Sequence, residues 1–144
     1  MKHVGKYRAI VVDVNDPEKR GRIRVECPAV LGKCISNWAL PCFSPGFFSI
    51  PNLKDLVWME FESGEKDYPV WTGAFYTTEV MLNSFGVYNP KNKIILDSNG
   101  NVLKMMTSGD VEIKAKSVFR GMGTTALLSP APYYTKSESN GLYL

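Results

Sequence analysis

The stretch VWMEFESGEKDYPVWTGAFY, residues 57–76, decides the fold of this 144-residue chain. In its first half Val57, Met59 and Phe61 are separated by Trp58 and by a glutamate. Because successive side chains on a β-strand point to opposite faces, the first three should face a core and Trp58 should face outward. The turn sequence SGEKDYP then leads into VWTGAFY, a second strand whose glycine indicates a bend. The stretch therefore predicts two consecutive strands of a curved sheet.

Three more strands are predicted upstream of this pair. Residues 7–14 (YRAIVVDV) are rich in β-branched side chains and stop at an Asn-Asp-Pro turn signal. Residues 22–26 (RIRVE) alternate apolar with charged side chains, which indicates one buried face. Residues 37–43 (NWALPCF) contain Pro41, which favours a sheet edge because proline cannot donate to a β-ladder. Five short strands in about seventy residues are typical of a small barrel or a sandwich.

The sequence after residue 90 predicts a second, smaller sheet. KIILD (93–97) and NVLKMM (101–106) flank an Asn-Gly pair, the strongest short-range signal for a hairpin. A Ser-Gly-Asp turn then leads into VEIKAKSV (111–118). Helical periodicity is nearly absent, and a helical turn or two is expected only within residues 78–85. We divide the chain into a barrel (1–77), a linker (78–90), a β extension (91–120) and a tail (121–144) that is either loose or ordered by a partner.

The extension is expected to need a partner. A sheet of three short strands cannot bury both of its faces, and its edges present unpaired backbone groups. We therefore predict that it forms the interface of a homotrimer, through the apolar residues Ile94, Leu96, Val102, Leu103, Val111 and Ile113. A second contact, with a partner protein, is predicted at Phe47 and Phe48 in the loop after the third strand.

Composition and motifs give no indication of an enzyme. The formal charge is +3 and the sequence pI about 8.7, a basic excess too small to indicate nucleic acid or membrane by itself. The three cysteines are well separated and are expected to be buried small side chains, and the single histidine, His3, is expected on a frayed N-terminus. We predict no catalytic residue, no metal site and no cofactor. Neither a signal peptide nor a membrane span is predicted, so synthesis in the cytoplasm is expected.

The ordered set of strands and turns resembles a known family. The features are the Asn-Asp-Pro to Gly-Arg turn between the first two strands, Trp38 with Pro41 on the third, and the VWMEFESGEKDYPVWTG pair. Over residues 5–76 they resemble the N-terminal OB domain of central spike proteins in contractile-tailed phage baseplates, and the similar domain of the type VI secretion spike. The resemblance implies an all-β fold, a five-stranded OB-like barrel followed by a short β extension that is intertwined in a trimer.

The resemblance also implies a function. The expected role is a structural component of a contractile phage tail baseplate or a related injection particle, a trimeric central spike or hub adaptor that links the hub to the membrane-piercing tip. The expected location is the virion, after synthesis in the host cytoplasm, and the expected partners are the baseplate hub protein and a separate needle or tip protein. The chain departs from the family because it has no lysozyme-like insert and no long needle of repeated strands. Either a separate protein forms the tip, or this chain is a minimal spike.

Two other functions fit the residues. OB barrels commonly bind single-stranded nucleic acid through cations and aromatic stacking platforms. The candidates for that role are Lys19, Arg20, Arg22, Arg24, Trp38, Phe43, Trp58 and Trp71. The low net charge and interspersed glutamates argue against it. The other alternative is a baseplate adaptor without spike function, docking through Phe47, Phe48 and the tyrosines of the tail.

Overall fold

The computed structural model of the protein describes residues 1–86, 88–118 and 120, so the tail predicted at 121–144 lies outside the described residues. The chain divides into two compact units, Met1–Glu79 and a second that begins at Val80. Within the described part, eight β-strands accompany two short α-helices and one 3-10 helix. The predicted all-β fold class is therefore confirmed.

The first unit is a curled five-stranded mixed sheet. Its strands are β1 (Tyr7–Asp13), β2 (Arg24–Glu26), β3 (Leu40–Pro41), β4 (Leu56–Phe61) and β5 (Pro69–Ala74), with helix α1 (Pro28–Leu31) after β2 and a 3-10 helix (Glu62–Gly64) after β4. The order across the sheet is β2-β1-β4-β5-β3, and only β5 and β3 pair in parallel. In this order β2 and β3 are the two edges of the sheet. Backbone bridges between Ile23 and Ala39 and between Glu26 and Ile35 connect the β2 edge to the segment that leads into β3. The result is an OB-like barrel.

The second and third strands are shorter than the sequence predicted. Residues 35–41 pass from β2, where Ile35 and Ala39 form antiparallel bridges, to β5, where Leu40 and Pro41 pair in parallel. A segment that changes partner in this way cannot keep a continuous ladder with either strand. Pro41 also supplies no N–H, so the backbone N–H of Cys42 makes the next bond, to the carbonyl of Trp71 at 2.9 Å.

The core follows the predicted alternation. Val57 and Met59 are fully buried and Phe61 nearly so, whereas Trp58 is half-buried on the outer face. Ile23, Val25 and the remaining core residues Ala9, Val11, Cys27, Ala39 and Trp71 complete the interior. Burying one large aliphatic or aromatic side chain contributes roughly 1.5–3 kcal/mol relative to leaving it exposed. The alternation on β4 therefore fixes which side of the sheet becomes the inside of the barrel.

Two expectations about single residues were wrong. Only Cys27 is buried, which raises the pKa of its thiol, whereas Cys34 and Cys42 lie on connecting segments outside the core and are exposed. The N-terminus is not frayed at His3, whose backbone N–H donates to the carbonyl of Gly64 at 2.8 Å and whose ring lies 6.1 Å from that of Phe61. These contacts pin the first residues of the chain to the 3-10 helix.

Asp16 organises the turn between β1 and β2. Its Oδ1 accepts hydrogen bonds from the backbone N–H of Glu18 (2.9 Å) and from Nη2 and Nε of Arg22 (2.7 and 3.1 Å). Its Oδ2 accepts from the backbone N–H groups of Arg20 (2.8 Å) and Arg22 (3.1 Å). The Asp16 side chain is only 4% exposed. The Arg22 guanidinium, helped by the backbone N–H groups, holds the pKa of Asp16 well below its ordinary value.

Gly21 connects this turn to the core. Its φ is +79°, and an added Cβ would lie 3.1 Å from Cδ1 of Ile50. Its carbonyl accepts a hydrogen bond from the indole N–H of buried Trp71 at 3.1 Å. Trp71 packs edge-on against Phe43, which packs edge-on against Phe48, with ring centroids 5.2 and 6.0 Å apart. The turn, β5 and the loop after β3 are therefore one packed cluster.

The second unit contains the predicted extension. Helix α2 (Thr78–Phe85) leads into the strands β6 (Lys93–Leu96), β7 (Val102–Met105) and β8 (Val111–Lys114), which form an antiparallel sheet in that order. Asn92 and Asn101, each directly before a strand, accept the backbone N–H groups of Thr107 (3.2 Å) and Lys116 (2.9 Å) through their side-chain oxygens. Repeated asparagine contacts therefore hold successive strands in register.

We expect Asp16→Asn to lower the Tm by several degrees at neutral pH, because the amide loses the charge that Arg22 and the backbone donors face. The pKa of Asp16 is depressed below the unfolded value of about 3.9, so its stabilisation is complete above roughly pH 5 and is lost as pH falls through about 4 and below. Thermal melts followed by circular dichroism from pH 7 to 3 should show the difference between variant and wild type shrinking. Asp67→Asn, at an exposed carboxylate, is the control, and a difference that stays constant with pH would contradict this assignment.

Gly21→Ala should destabilise the barrel more than Gly5→Ala. Both glycines have positive φ, which costs an alanine about 1–2 kcal/mol, but only Gly21 has neighbours within 4 Å of the added Cβ. The contact with Ile50 should add about 1 kcal/mol or more through overpacking. Urea unfolding of both variants measures the difference, and equal losses of stability would show that the turn does not press on the loop.

Candidate assembly surface

Five apolar residues share one face of the extension sheet. In its register Ile95 and Ile113 lie opposite Leu103, and Val111 lies opposite Met105. We call this the open face, because all five are exposed and Ile95 reaches 64%. Lys93, which is paired with Met105 at a corner, is the one charged residue at the strand positions of this face. A continuous apolar surface of this kind marks an interaction site.

The opposite face of the sheet already has a neighbour. It carries Ile94, Leu96 and Val102, all half-buried, together with three charged residues of β7 and β8. These residues line a shallow cavity with Ser84 and Phe85 from the end of α2. We call this the covered face. Its apolar side chains share this cavity with the end of the helix, whereas no residue of the open face lines it.

The structure divides the six predicted interface residues between the two faces. Three of them, Leu103, Val111 and Ile113, lie on the open face; the other three, Ile94, Leu96 and Val102, lie on the covered face. The sequence argument missed Ile95 and Met105. Side chains on a strand alternate between its two faces. Applied from Leu103 to each paired strand, this alternation would have placed Ile95 and Met105 on the same face, once the register between the strands was known. In KIIL the apolar residues are consecutive, so alternation within that strand alone does not assign a face.

The edges of the extension sheet are also unpaired. Within the described residues, β6 and β8 each pair only with β7. The outer edge of each therefore carries backbone donors and acceptors available to another strand. The extension thus combines an exposed apolar face with two strand edges that are unpaired within the described residues.

Phe47 and Phe48, the predicted partner contact, lie in the loop between β3 and β4 and are 70% and 72% exposed. Phe48 contacts Phe43 with one edge of its ring. These two residues are in the first unit, and the open face is in the second. The two predicted contacts are therefore carried by different units of the chain.

Most of the residues that suggested nucleic-acid binding are engaged within the barrel. Trp71 is buried. The guanidinium groups of Arg22 and Arg24 lie 5.7 and 5.8 Å from the ring centroid of Trp38, close enough for cation–π contacts that cover the indole. Trp58 packs against a phenylalanine ring 4.7 Å away and beneath Arg8. Stacking of bases on these rings would have to displace contacts that the barrel already makes.

Residues 1–86, 88–118 and 120 contain neither a metal-binding cluster nor a membrane-spanning helix. No group of three or more His, Cys, Asp or Glu side chains in this part of the chain could hold a metal ion. Among the same residues, no helix combines the length and the apolar character needed to cross a membrane.

Comparison with known families identifies the barrel. The profile of the type VI secretion system/phage-baseplate injector OB domain matches residues 7–76. The match begins at the first residue of β1 and ends just after β5, so it spans every strand of the barrel. Residues 7–76 are an injector OB domain. No curated protein sequence matches the chain significantly.

The family match confirms the resemblance that the sequence predicted. The injector OB domain supports a structural role in a phage baseplate or a related injection particle. The Asp16 turn, Gly21 and Trp71 all lie inside the matched span, whereas the extension with its open face lies outside it.

We expect the injector OB domain not to bind single-stranded nucleic acid, because its candidate stacking platforms are occupied by internal contacts. A short oligothymidine titrated into the full chain at moderate salt should leave the tryptophan fluorescence unchanged. Quenching at micromolar concentration that weakens as salt is added would contradict this expectation and favour a nucleic-acid role.

Proposed function

We propose that the chain is a trimeric structural component at the centre of a phage tail baseplate or a related injection particle. In this role the barrel docks on the hub, and the extension leads toward a membrane-piercing tip that a separate needle or tip protein forms. The match to the injector OB domain supports the location in a virion or injection particle. The proposal of a trimer rests on the open face of the extension.

The open face gives the extension a reason to associate. An apolar sheet face exposed to water is stabilised by burial at about 25 cal/mol for each Å² removed from solvent. A three-stranded sheet has little independent stability, so this burial is needed for the extension itself. The face carries Lys93 at one corner and no carboxylate among its strand residues, so contact between copies would bury no charge at its centre.

A threefold arrangement satisfies both the face and the edges. Three sheets placed as the sides of a prism bury their open faces against one another. The edge strand β8 of each copy then lies next to β6 of the following copy, and a head-to-tail contact of this kind closes after three copies. Two copies packed face to face would bury the apolar residues but would leave four strand edges free. The closed prism is also stiff along its axis, as a part that transmits axial force requires.

Ile113→Lys should convert the trimer into a monomer, because three ammonium groups would be brought together inside the proposed interface. Ile10→Lys is the matched control: Ile10 is the same residue type with nearly the same exposure, 40% against 39%, but it lies on the barrel. Size-exclusion chromatography with light scattering measures the mass. We expect three chains for the wild type and for Ile10→Lys, and one chain for Ile113→Lys.

A wild-type chain that is a stable monomer would overturn the trimer and would favour the adaptor without spike function. A trimer that survives Ile113→Lys would mean that another surface holds the copies together.

A further inference from the structure

The loop between β3 and β4 carries exposed apolar residues that are not part of the proposed trimer interface. We call Phe47, Phe48 and Leu53 the aromatic tip; Leu53 is 55% exposed. The end of this loop lies beside β1, because the backbone N–H of Lys54 donates to the carbonyl of Val11 at 2.9 Å. Residues 44–53 of this loop (SPGFFSIPNL) contain no charged side chain. Exposed aromatic clusters of this kind are typical anchors of protein interfaces.

The base of the aromatic tip is fixed by packing. A Cβ added at Gly21 would lie 3.4 Å from Cε2 of Phe48 and 3.5 Å from Cε2 of Phe43, so the turn presses against both rings. The loop backbone is held as well, because the N–H of Phe47 donates to the carbonyl of Ser44 at 3.1 Å. Anchors that are ordered before binding lose less entropy when a partner arrives.

Two lysines flank the aromatic tip in an uncommon conformation. Lys54 follows Leu53 directly, and Lys19 is two residues before Gly21; their φ values are +71° and +56°. A left-handed backbone is unfavourable for a residue with a Cβ, and glycine would adopt it without that cost. Within the described residues, neither ammonium group forms an ion pair. One lysine therefore follows the aromatic tip directly and the other belongs to the turn that packs against Phe48, and both stand where glycine would adopt the backbone with less strain.

We propose that the aromatic tip, with Lys19 and Lys54, is the docking surface for a protein partner that offers an apolar pocket bordered by carboxylates. The phenylalanines fill the pocket, and the lysines set orientation and association rate through the acidic border. A second copy of the chain does not fit this description, because it would bring the same cations face to face. The proposal rests on the proposed function only for where the partner is found, among the components of the injection particle.

A photoreactive amino acid at position 48 tests the contact in assembled particles. We expect one cross-linked protein product, different from this chain, that is absent when the photoreactive residue replaces Tyr68. Tyr68 is the matched control, because it is 62% exposed and lies at the opposite end of β4. Cross-linking to nucleic acid, to a second copy alone, or to nothing beyond the Tyr68 control would overturn the proposal.

Once the cross-linked partner has been identified and purified, its affinity for variants of the full chain tests the separate contributions of the phenylalanines and the lysines. Phe47→Ser with Phe48→Ser should weaken binding by roughly tenfold or more at any salt concentration. Lys19→Gly with Lys54→Gly should weaken it by roughly tenfold at low salt and little at high salt, while the Tm is unchanged or higher. If the Lys19→Gly, Lys54→Gly double variant binds the partner at low salt with the affinity of the wild type, the lysines do not have the proposed role.

The mass of each variant is measured alongside, and all are expected to remain trimers. A variant of the aromatic tip that loses partner binding but remains a trimer therefore tests the docking surface alone. A wild-type chain that is not a trimer contradicts the proposed function instead, so the two failures are distinguishable.

Discussion

The barrel depends on one carboxylate that its own turn covers, the side chain of Asp16. Asp16 gathers the guanidinium of Arg22 and three backbone N–H groups onto two oxygens, and this forces residues 16–22 into a single closed turn. The turn places the carbonyl of Gly21 where the indole of Trp71 can donate to it from inside the core. A polar network on the surface is thereby coupled to the hydrophobic interior. Within the Asn-Asp-Pro to Gly-Arg pattern, Asp16, Gly21 and Arg22 therefore each have a specific partner that holds the turn.

The second constraint is the pleat of a β-sheet. Because side chains alternate between faces, a strand with three consecutive apolar residues must expose at least one of them unless both faces are covered. KIIL at β6 is such a strand, and in the extension only the covered face lines the cavity beside the end of α2. The exposed position falls on Ile95, and the register of β7 and β8 adds apolar neighbours on the same side. The incompleteness of the extension therefore follows from its own pattern.

Sequence reasoning succeeded where local pattern determines structure. The alternation around Met59 and the turn residues indicated the strands of the barrel, and for residues 56–61 the alternation also gave the buried face. It was less accurate for the third strand, because the change of partner between Ile35 and Leu40 is a tertiary feature with no local signal. It did not sort the extension residues by face, since in KIIL the apolar residues are consecutive and the face of each depends on the register with the neighbouring strand. The hydrogen bond from Trp71 to Gly21, which spans 50 positions, is equally invisible in local sequence.

The two units divide the work of an assembly component between them. The barrel has a closed core in which each buried polar side-chain atom of the described residues has a hydrogen-bond partner. The extension has the opposite properties, with an exposed apolar face and free strand edges. A partner that covers the open face would therefore stabilise the extension by apolar burial that the barrel already has within its own core. This separation explains why folding of the first unit and association through the second should respond to different substitutions.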